Sequence, residues 1–278
     1  MSHRYLIVTA DDYNTDPERN RGIFEAVSKG IVTSISVLAN MPWEDNAVAE
    51  LKAACGPRIG IHLNLTRGKP LCAGLKTLAN ATGCFFKKKV AWRKALFGMF
   101  DLQEIETEFA AQIENLMSLN IILDHIDGNN HIHVFPGIAP VVARLADRYG
   151  IRTVRLPLES FSLLRQYGQP NALKKYFIGL LAKRARPIFR DHGLCFTDYF
   201  AGIQFPAIAN TSSLRAFLQT LPHGVTELMC HPGFKNDTGN PFSTDEREQE
   251  LHSLTHPDVR EDLRRFNINL ISYRELAQ

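Results

Sequence analysis

The chain has 278 residues, of which 45% are hydrophobic and 22% are charged, as in ordinary globular proteins. This length fits one large barrel-like domain or two small ones, and we predict a single domain over residues 1–278. The net charge of +3 is too small to favour nucleic acid or a membrane as the partner, and we expect no nucleic-acid binding.

The start of the chain and its cysteines predict the compartment. The sequence "MSHRYLIVTADD" passes from a short polar start into a strand-like run with two carboxylates, so we expect no signal peptide. No apolar stretch approaches the length that spans a membrane. The cysteines are odd in number and form no CxxC pair, which predicts reduced thiols in the cytoplasm. They are Cys55, Cys72, Cys84, Cys195 and Cys230.

Short apolar runs rich in β-branched residues alternate with helical patterns along almost the whole chain. The predicted strands are, in order, "RYLIVTA", "VTSISVLAN", "RIGIHLNL", "LDHIDG", "RTVRLP", "DYFAGI", "GVTELMCH" and "INLISY". Helical periodicity is clearest at residues 20–29, 102–119 and 138–149. Gly30 and Gly150 are expected to form left-handed C-terminal caps of two of these helices. This alternation predicts a parallel α/β architecture, either a (β/α) barrel or an open doubly wound sheet.

Polar residues at the strand ends decide between these two architectures. They follow several different predicted strands: Asp11, Asp12, His62, the row that begins at His125, Arg155 and His231. A barrel brings the ends of many strands around one mouth, whereas an open sheet gathers only the two at its switch point. We therefore predict a TIM-like (β/α) barrel, which need not be regular, with insertions near residues 66–100 and 159–190.

The second insertion contains an amphipathic stretch of apolar and basic residues, "LKKYFIGLLAKRARPIFR". Such a pattern is compatible with a helix on a membrane surface or with an acidic partner. A solvated helix that covers the barrel is the favoured interpretation, and membrane-surface contact is the alternative. The sequence does not determine the oligomeric state.

The segment "LDHIDGNNHIHVFP", residues 123–136, holds the strongest functional signal. Polar side chains occupy every second position: His125, Asp127, Asn129, His131 and His133. In an extended segment they would share one face, and a buried polar face is costly unless a partner satisfies it. A metal ion explains this row best, with His nitrogen and Asp oxygen as ligands and other members orienting them.

The segment "VTADD" ends a predicted strand in the adjacent carboxylates Asp11 and Asp12. A single Asp here would be interpreted as the N-terminal cap of the following helix. Two adjacent Asp residues include one carboxylate that the cap does not need. One carboxylate can then bind a cation while the other accepts a proton. Arg155, in the otherwise apolar strand "TVRLP", is expected to pair with a carboxylate, and this Asp pair is the nearest candidate.

Two further histidines are candidates on weaker grounds. His62 lies in the apolar strand "GIHLNLT", where a core histidine is the ordinary interpretation, although Asn64 on the same face favours a functional one. His231 ends a strand just before a Pro-Gly turn, and an ordinary loop residue is the alternative there. Cys230, between an apolar residue and His231, is interpreted as a buried strand residue rather than a nucleophile.

Four segments together resemble a known family: "LIVTADDYNTDPERNRGIFEAVSKGIVTSISVLAN", "IGIHLNLTRGKPL", "DHIDGNNHIHVFP" and "TELMCHPGF". In this order they are similar to the motifs of the YdjC-like carbohydrate deacetylases, which include chitooligosaccharide and hopanoid biosynthesis-associated deacetylases. The resemblance runs from about residue 6 to residue 234. It implies a TIM-like barrel, a divalent metal that is often magnesium, and an N-acetylated amino sugar as the substrate for deacetylation.

The resemblance also implies roles for individual residues. Asp12 and His62 would be metal ligands, Asp11 the general base, and His231 the acid or oxyanion partner. From the residues themselves, rather than from the resemblance, we expect Arg155 to hold Asp11 ionised while Asp11 takes a proton from the attacking water.

The chain departs from the family pattern at the third expected ligand. The family has a histidine where this chain has Asn129, and Asn130 replaces the next histidine. An amide oxygen can bind a hard cation such as Mg²⁺ but is a poor ligand for softer metals such as Zn²⁺. We therefore expect Asn129 as the third ligand with His131 as the alternative, and magnesium as the metal with zinc or cobalt as alternatives.

Two other functions stay open at this point. A metal-dependent phosphoesterase or amidohydrolase-type hydrolase also uses H-x-H on a barrel strand, although such chains usually open with that motif, whereas this one opens with Asp11 and Asp12. The two asparagines leave open a sugar-binding relic without catalysis. A free chitooligosaccharide and a lipid-linked glucosamine conjugate are both open as the sugar.

Overall fold

The computed structural model describes residues 3–55, 58–159, 172–203, 210–235 and 244–278. Residues 160–171, part of the second predicted insertion, lie outside the described residues. The single-domain organisation stays a prediction. No helix of the described ranges combines the length and the apolar character that crossing a membrane requires.

The described strands form one sheet in which all pairings are parallel. They are β1 (Arg4–Tyr13), β2 (Ser34–Val37), β3 (Ile59–Leu63), β4 (Leu123–Gly128), β5 (Tyr199–Ala201), β6 (Gly224–Cys230) and β7 (Ile268–Leu270). Their order is β4-β3-β2-β1-β6-β5, and β7 pairs with β1.

The predicted strand "RTVRLP" is reduced to isolated bridges, and these bridges together with one at Glu159 just beyond it join the two edges of the sheet. Val154 pairs with Ile126 of β4, and Glu159 pairs with Phe200 of β5, both in parallel. The sheet thus continues from β4 round to β5 through irregular backbone. The prediction of a TIM-like, irregular α/β barrel is confirmed.

Helices surround the sheet. They are α1 (Pro17–Ser28), α2 (Ala47–Cys55), α3 (Lys88–Leu96), α4 (Leu102–Ser118), a 3-10 helix (Asn129–Val134), α5 (Ile138–Tyr149), α6 (Ala172–Asp191), α7 (Thr211–Gln219), α8 (Asp245–Thr255), α9 (Pro257–Arg265) and α10 (Tyr273–Leu276). The three helices predicted from periodicity correspond to α1, α4 and α5. The predicted insertions contribute α3 and α6.

Of the two predicted glycine caps, one is confirmed and one is wrong. Gly150 ends α5 in the left-handed conformation, with φ of 69°. Gly30 follows Lys29, the cap residue of α1, but it does not adopt the left-handed conformation. A Cβ on Gly30 would lie 2.5 Å from the carbonyl oxygen of Ala26 and 2.8 Å from that of Leu254, so close backbone approach requires glycine there.

The core lies between the sheet and the helices. Strand residues such as Leu6, Val8 and Ile35 are fully buried, and α5 adds Val142 and Leu145 from its inner face. Burying one such side chain contributes roughly 1.5–3 kcal/mol relative to leaving it exposed. Because helices cover the parallel sheet, its polar side chains are concentrated where the strands end.

The polar row after β4 is not extended, so the prediction that five side chains share one face is wrong. β4 ends at Gly128, and the 3-10 helix follows it. Asn130 and His131 inside that helix adopt left-handed backbone, with φ of 55° and 59°. The indole Nε1–H of Trp92 donates to the carbonyl of Asn130 at 3.1 Å and so fixes this turn from another part of the chain.

Candidate active site

The mouth of the barrel begins at an irregularity in β1. The pairing of β1 with β2 shifts register between Ala10 and Tyr13, and Asp12 has φ of 70°. This bulge lets the adjacent carboxylates serve different partners, because Asp11 contacts Arg155 while Asp12 approaches other polar groups. The helix-cap interpretation applies instead to Asp16, whose side chain accepts the backbone N–H of Arg19 at the start of α1.

Arg155 is fully buried and binds three carboxylates. Its Nη1 and Nη2 donate to the two oxygens of Asp11 at 2.6 and 2.8 Å. Nη1 also lies 2.6 Å from Oδ2 of Asp127, and Nε donates to Oε1 of Glu227 at 2.8 Å. The predicted contact between Arg155 and Asp11 is present. We call Arg155, Asp11, Asp127 and Glu227 the inner cluster.

His62 is oriented by the inner cluster. Its Nδ1 lies 2.6 Å from Oδ1 of Asp127. Its Nε2 therefore faces the other way, 3.6 Å from Oδ1 of Asp12 and 4.0 Å from Oδ2 of Asp11. A carboxylate that holds one ring nitrogen fixes the direction in which the other can bind a ligand. The predicted proximity of Asp12 and His62 is thus present.

Asn129 reaches the same place from the start of the 3-10 helix. Its Nδ2 donates to Oδ1 of Asp12 at 2.9 Å. Its Oδ1 accepts from Oγ1 of Thr66 and from Nδ2 of Asn130, each at 2.6 Å. The amide thus points its nitrogen toward Asp12, and it would have to turn over to offer its oxygen to an ion. We call Asp12, His62 and Asn129 the outer cluster.

The other members of the polar row lie around these clusters. His131, the alternative third ligand, packs edge-on against Phe200, with ring centroids 6.2 Å apart. His133 donates from Nε2 to the carbonyl of Arg155 at 3.0 Å, and Nε2 of His125 lies 3.1 Å from Oγ of Ser36. His125 therefore supports the position of β2, and His133 supports the backbone of Arg155.

His231 lies on the other side of the mouth, half-buried after β6. Its backbone N–H donates to Oε2 of Glu250 at 2.6 Å, and its carbonyl accepts from Nη1 of Arg19 at 3.2 Å. The turn after it packs closely on α1, because a Cβ on Gly22 would lie 2.4 Å from Cα of Gly233. Backbone contacts thus hold this histidine in place. Cys230 beside it is buried, as predicted.

Burial and charge shift the titration of the two carboxylates in opposite directions. Burial raises the pKa of Asp11 to about 6, although the charge of Arg155 acts against this rise. Burial also acts to raise the pKa of Asp12, but the positive charges around it, that of His62 first and those of Arg19 and Arg67 with it, outweigh burial and lower that pKa to about 2. Adjacent carboxylates therefore differ in basicity, which suits a division between proton acceptor and charged ligand.

The pKa values of the two histidines at the mouth, His62 and His231, are also shifted in opposite directions. Burial lowers the pKa of His62, but the carboxylates of Asp127 and Asp11 outweigh it and raise the pKa to about 9. Burial and the charge of Arg247 hold the pKa of His231 well below its ordinary value. His231 is therefore neutral near pH 7.

The mouth has the donors that a divalent ion needs. Within the described ranges, Asp11, His62 and Asp127 bring one ligand atom each to within 4.8 Å of one another. Both oxygens of Asp127 are already engaged, one by His62 and the other by Arg155 and Ser36.

Asp12 fits the ion better than Asp127 does. Two ligand atoms that each lie about 2.1 Å from an ion are at most about 4.2 Å apart. The distance of 3.6 Å between Oδ1 of Asp12 and Nε2 of His62 meets this condition. Asp127 orients His62, and Asp12 and His62 are the two residues whose geometry can hold an ion.

Sequence reasoning missed Glu227 and Tyr273. Glu227 is fully buried in β6, where it binds Arg155 and accepts a short hydrogen bond from the hydroxyl of Tyr273. The ring of Tyr273 stacks on His125 at 4.2 Å between centroids. A signal for Glu227 existed, because a carboxylate inside the apolar run "TELMC" requires a cation as partner. Tyr273 carried no such signal.

The parallel sheet, which isolated bridges continue from β4 round to β5, and the cluster at its mouth define a TIM-like α/β barrel protein with a candidate metal centre. Residues 5–265 match the model of the YdjC-like protein family, and the chain belongs to that family. The resemblance drawn from the four motifs is thus confirmed.

Relatives match over nearly the whole chain. The carbohydrate deacetylase of Mus musculus is 33% identical, and the match covers 98% of this chain and 94% of the relative. That of Geobacillus stearothermophilus is 32% identical, with 98% of both chains covered. A crystal structure from Enterococcus faecalis V583, of a protein named for cellobiose-phosphate cleavage, superposes with a TM-score of 0.79. It is 24% identical over 100% of both chains and shares the fold.

Proposed function

We propose that this chain is a metal-dependent hydrolase that removes the N-acetyl group from an N-acetylglucosamine-containing saccharide or glycoconjugate. One observation carries the proposal. A buried carboxylate with a pKa of about 6, Asp11, lies beside a second carboxylate and an imidazole that can hold a divalent ion. The relatives named carbohydrate deacetylases support the substrate class. We place the protein in the cytoplasm, as its cysteines suggest, which are odd in number and form no CxxC pair.

The outer cluster would hold the ion through Oδ1 of Asp12 and Nε2 of His62. Asn129 is the third ligand once its amide presents oxygen, and His131 is the alternative. This oxygen-rich set favours Mg²⁺, which keeps several waters and needs few protein ligands, over Zn²⁺ or Co²⁺. When bound, a divalent ion would polarise the acetyl carbonyl and make its water more acidic.

Asp11 is the general base of the proposed reaction. Its Oδ2 faces the mouth, 4.0 Å from Nε2 of His62, while Arg155 holds both carboxylate oxygens in place. A pKa of about 6 leaves it ionised at neutral pH yet basic enough to take a proton from the attacking water. Arg155 acts through Asp11 and is a positioning residue.

His231 begins the proposed reaction as a neutral imidazole. A neutral ring can donate one N–H to the oxygen on which negative charge develops. The proton that Asp11 takes from water is the one that the leaving amine requires, and His231 can accept it on one nitrogen and release it from the other. The acid role predicted from the sequence is thus proposed as a relay.

The test begins with metal analysis of the purified chain, followed by acetate release from N-acetylglucosamine oligosaccharides after each metal is restored. Release of acetate with Mg²⁺ is the expected result. A phosphodiester assayed in parallel separates the alternative hydrolase class. Turnover of the phosphodiester alone, or bound metal without acetate release from any N-acetylated sugar, would contradict the deacetylase proposal, and the second result would indicate a sugar-binding relic.

A further inference from the structure

Two helices beside the mouth present apolar side chains to solvent. In the turn after α3, Phe97 is 70% exposed and Met99 is 52% exposed. On α6, Tyr176 is 69% exposed and Leu180 is 41% exposed. Single exposed apolar residues are ordinary, but neighbouring ones indicate an interaction surface.

The two helices are neighbours and border the mouth. Trp92 of α3 contacts Phe177 of α6, with ring centroids 5.8 Å apart, and both rings pack on Phe135. The indole N–H of Trp92 also binds the carbonyl of Asn130, the residue after Asn129 of the outer cluster. A partner on these helices would therefore lie next to the proposed substrate entrance.

Exposed basic side chains lie on the same two helices as the apolar ones. Residues 87–101, "KKKVAWRKALFGMFD", contain five Lys or Arg and one Asp, a net charge of +4. On α6, Lys183, Arg184 and Arg190 are exposed. Among the described residues, none of these three makes an ion pair, and neither does Lys89 or Arg93. The positive charge of both helices is thus available to a partner.

An apolar cleft opens beside these residues. It has a volume of about 370 Å³, and no charged side chain lines it. Its walls include Leu96, Phe97, Phe100, Leu102, Ile105 and Ile138. A surface that combines such a cleft with exposed aromatic and basic side chains matches a bilayer boundary, where hydrocarbon lies directly beneath phosphates.

We define the α3–α6 surface by its exposed residues Lys89, Arg93, Phe97, Met99, Tyr176, Leu180, Lys183 and Arg184. We propose that this surface docks on an anionic phospholipid membrane, with Phe97 and Met99 entering the hydrocarbon boundary and the basic side chains contacting lipid phosphates. Each basic side chain near an anionic bilayer raises affinity about fivefold. The sequence alone favoured a solvated helix here, because exposure of the apolar residues was not visible in it.

A second copy of this chain fits the surface less well than a membrane does. In a two-fold dimer the same surface faces itself, so its positive charges would lie opposite positive charges. Docking on a bilayer would hold the mouth toward lipid headgroups. This orientation suits a membrane-borne glycoconjugate as the substrate, a consequence that rests on the proposed deacetylase function.

The test is flotation of the full chain with phosphatidylcholine vesicles that contain or lack phosphatidylglycerol, without added metal or sugar. The chain should float with the anionic vesicles and much less with the neutral ones, and added salt should weaken the binding. The double variants Phe97→Ser with Met99→Ser, and Arg93→Glu with Arg184→Glu, should each lower the partition coefficient about tenfold or more.

The matched controls make the same kinds of change elsewhere, an exposed apolar residue to Ser and an exposed Arg to Glu. Ile122, which is 74% exposed at the amino end of β4, is replaced by Ser, and the exposed Arg264 of α9 is replaced by Glu. These variants should bind as the wild type does. Urea unfolding checks that each variant is folded. The salt dependence of vesicle binding is measured on the wild-type chain and therefore tests the proposal even if a variant fails to fold.

Equal binding of wild type and surface variants, equal binding to neutral vesicles, or no flotation would overturn the docking proposal. A dimer in sedimentation that Phe97→Ser dissociates would also overturn it, because a second copy would then occupy the surface. Acetate release from a soluble sugar is assayed separately. Vesicle binding without acetate release overturns the deacetylase proposal alone, and acetate release without vesicle binding overturns docking alone.

Discussion

The inner and outer clusters lie within hydrogen-bond reach of each other, yet they handle charge differently. In the inner cluster, Arg155 contacts the carboxylates of Asp11, Asp127 and Glu227, and all are almost fully buried. In the outer cluster, Asp12 and Asn129 are each 8% exposed. The inner carboxylates are satisfied by protein, whereas the outer groups can accept a further ligand.

This difference shows how the mouth of one barrel can hold a rigid network of charges beside residues that are able to bind a ligand. A buried arginine with several carboxylates fixes geometry, because no member can move without leaving a charge unpaired. Asp127 connects the two clusters, because it holds Nδ1 of His62, a residue of the outer cluster. Asp11 belongs to the inner cluster, and its carboxylate faces His62 of the outer cluster. The two clusters should therefore differ in their effects on stability, turnover, pH dependence and metal binding.

The largest expected effect is the loss of the inner cluster. Arg155→Met leaves three buried carboxylates without their cation, and breaking such a network lowers the free energy of unfolding by about 3–5 kcal/mol. Arg144, which binds Glu106 at the surface, provides the control, and Arg144→Met should lower the free energy of unfolding by at most about 1 kcal/mol. Urea unfolding measures both. Equal losses would show that Arg155 is not the centre of the mouth.

The parts of this site that follow from local sequence could be predicted, and the parts set by distant contacts could not. Asp11 and His62 end strands whose apolar pattern is local, so their place at the mouth follows from the alternation. The turn after Gly128 was predicted as extended. Its left-handed residues depend on Trp92, which is 38 residues away from Asn130 in sequence.

The fold divides in the same way between local sequence and distant contacts. The order of the strands in the sheet follows from right-handed parallel crossovers, and the strands with long apolar runs are predicted correctly from the sequence. "RTVRLP" has the composition of a strand, but it forms only isolated bridges around Val154. The side chain of Arg155 in this segment binds carboxylates on β1, β4 and β6, and no local sequence pattern encodes this arrangement.

The next effect separates the two carboxylates of β1. Asp11→Asn should lower turnover by about 10² to 10⁴, the usual contribution of a general base, with metal content nearly unchanged. Asp12→Asn should lower metal occupancy as well as turnover. Asp16→Asn is the control, because Asn caps a helix as well as Asp does. Metal analysis with acetate release measures all three, and identical metal loss in Asp11→Asn and Asp12→Asn would refute the division.

The pH dependence of turnover should follow Asp11. Because burial raises its pKa to about 6, the base is ionised above that pH and protonated below it. We expect kcat/KM to be level above pH 6 and to fall about tenfold per pH unit below it. Saturating metal is required, since a proton competes for His62, whose pKa is about 9 in the metal-free protein. A profile that stays level down to pH 4.5 would be inconsistent with Asp11 as the base.

A smaller effect concerns metal preference at Asn129. Asn129→His should raise affinity for Zn²⁺, Co²⁺ or Ni²⁺ at least about tenfold, because imidazole binds these ions better than an amide does. Calorimetric titration measures it, with Asn130→His as the neighbouring control. Unchanged affinity in Asn129→His together with lost binding in His131→Ala would identify His131 as the third ligand instead.

The most direct test of the division between clusters is the position of the ion itself. Crystals soaked in Mn²⁺, a hard cation that scatters anomalously, would show it as a peak in the anomalous difference density. We predict the peak at about 2.0–2.3 Å from Oδ1 of Asp12 and Nε2 of His62. Asp127 should keep its contacts with His62 and Arg155. A peak bonded to Asp127, or no peak at the mouth in crystals whose protein releases acetate in that metal, would contradict the account.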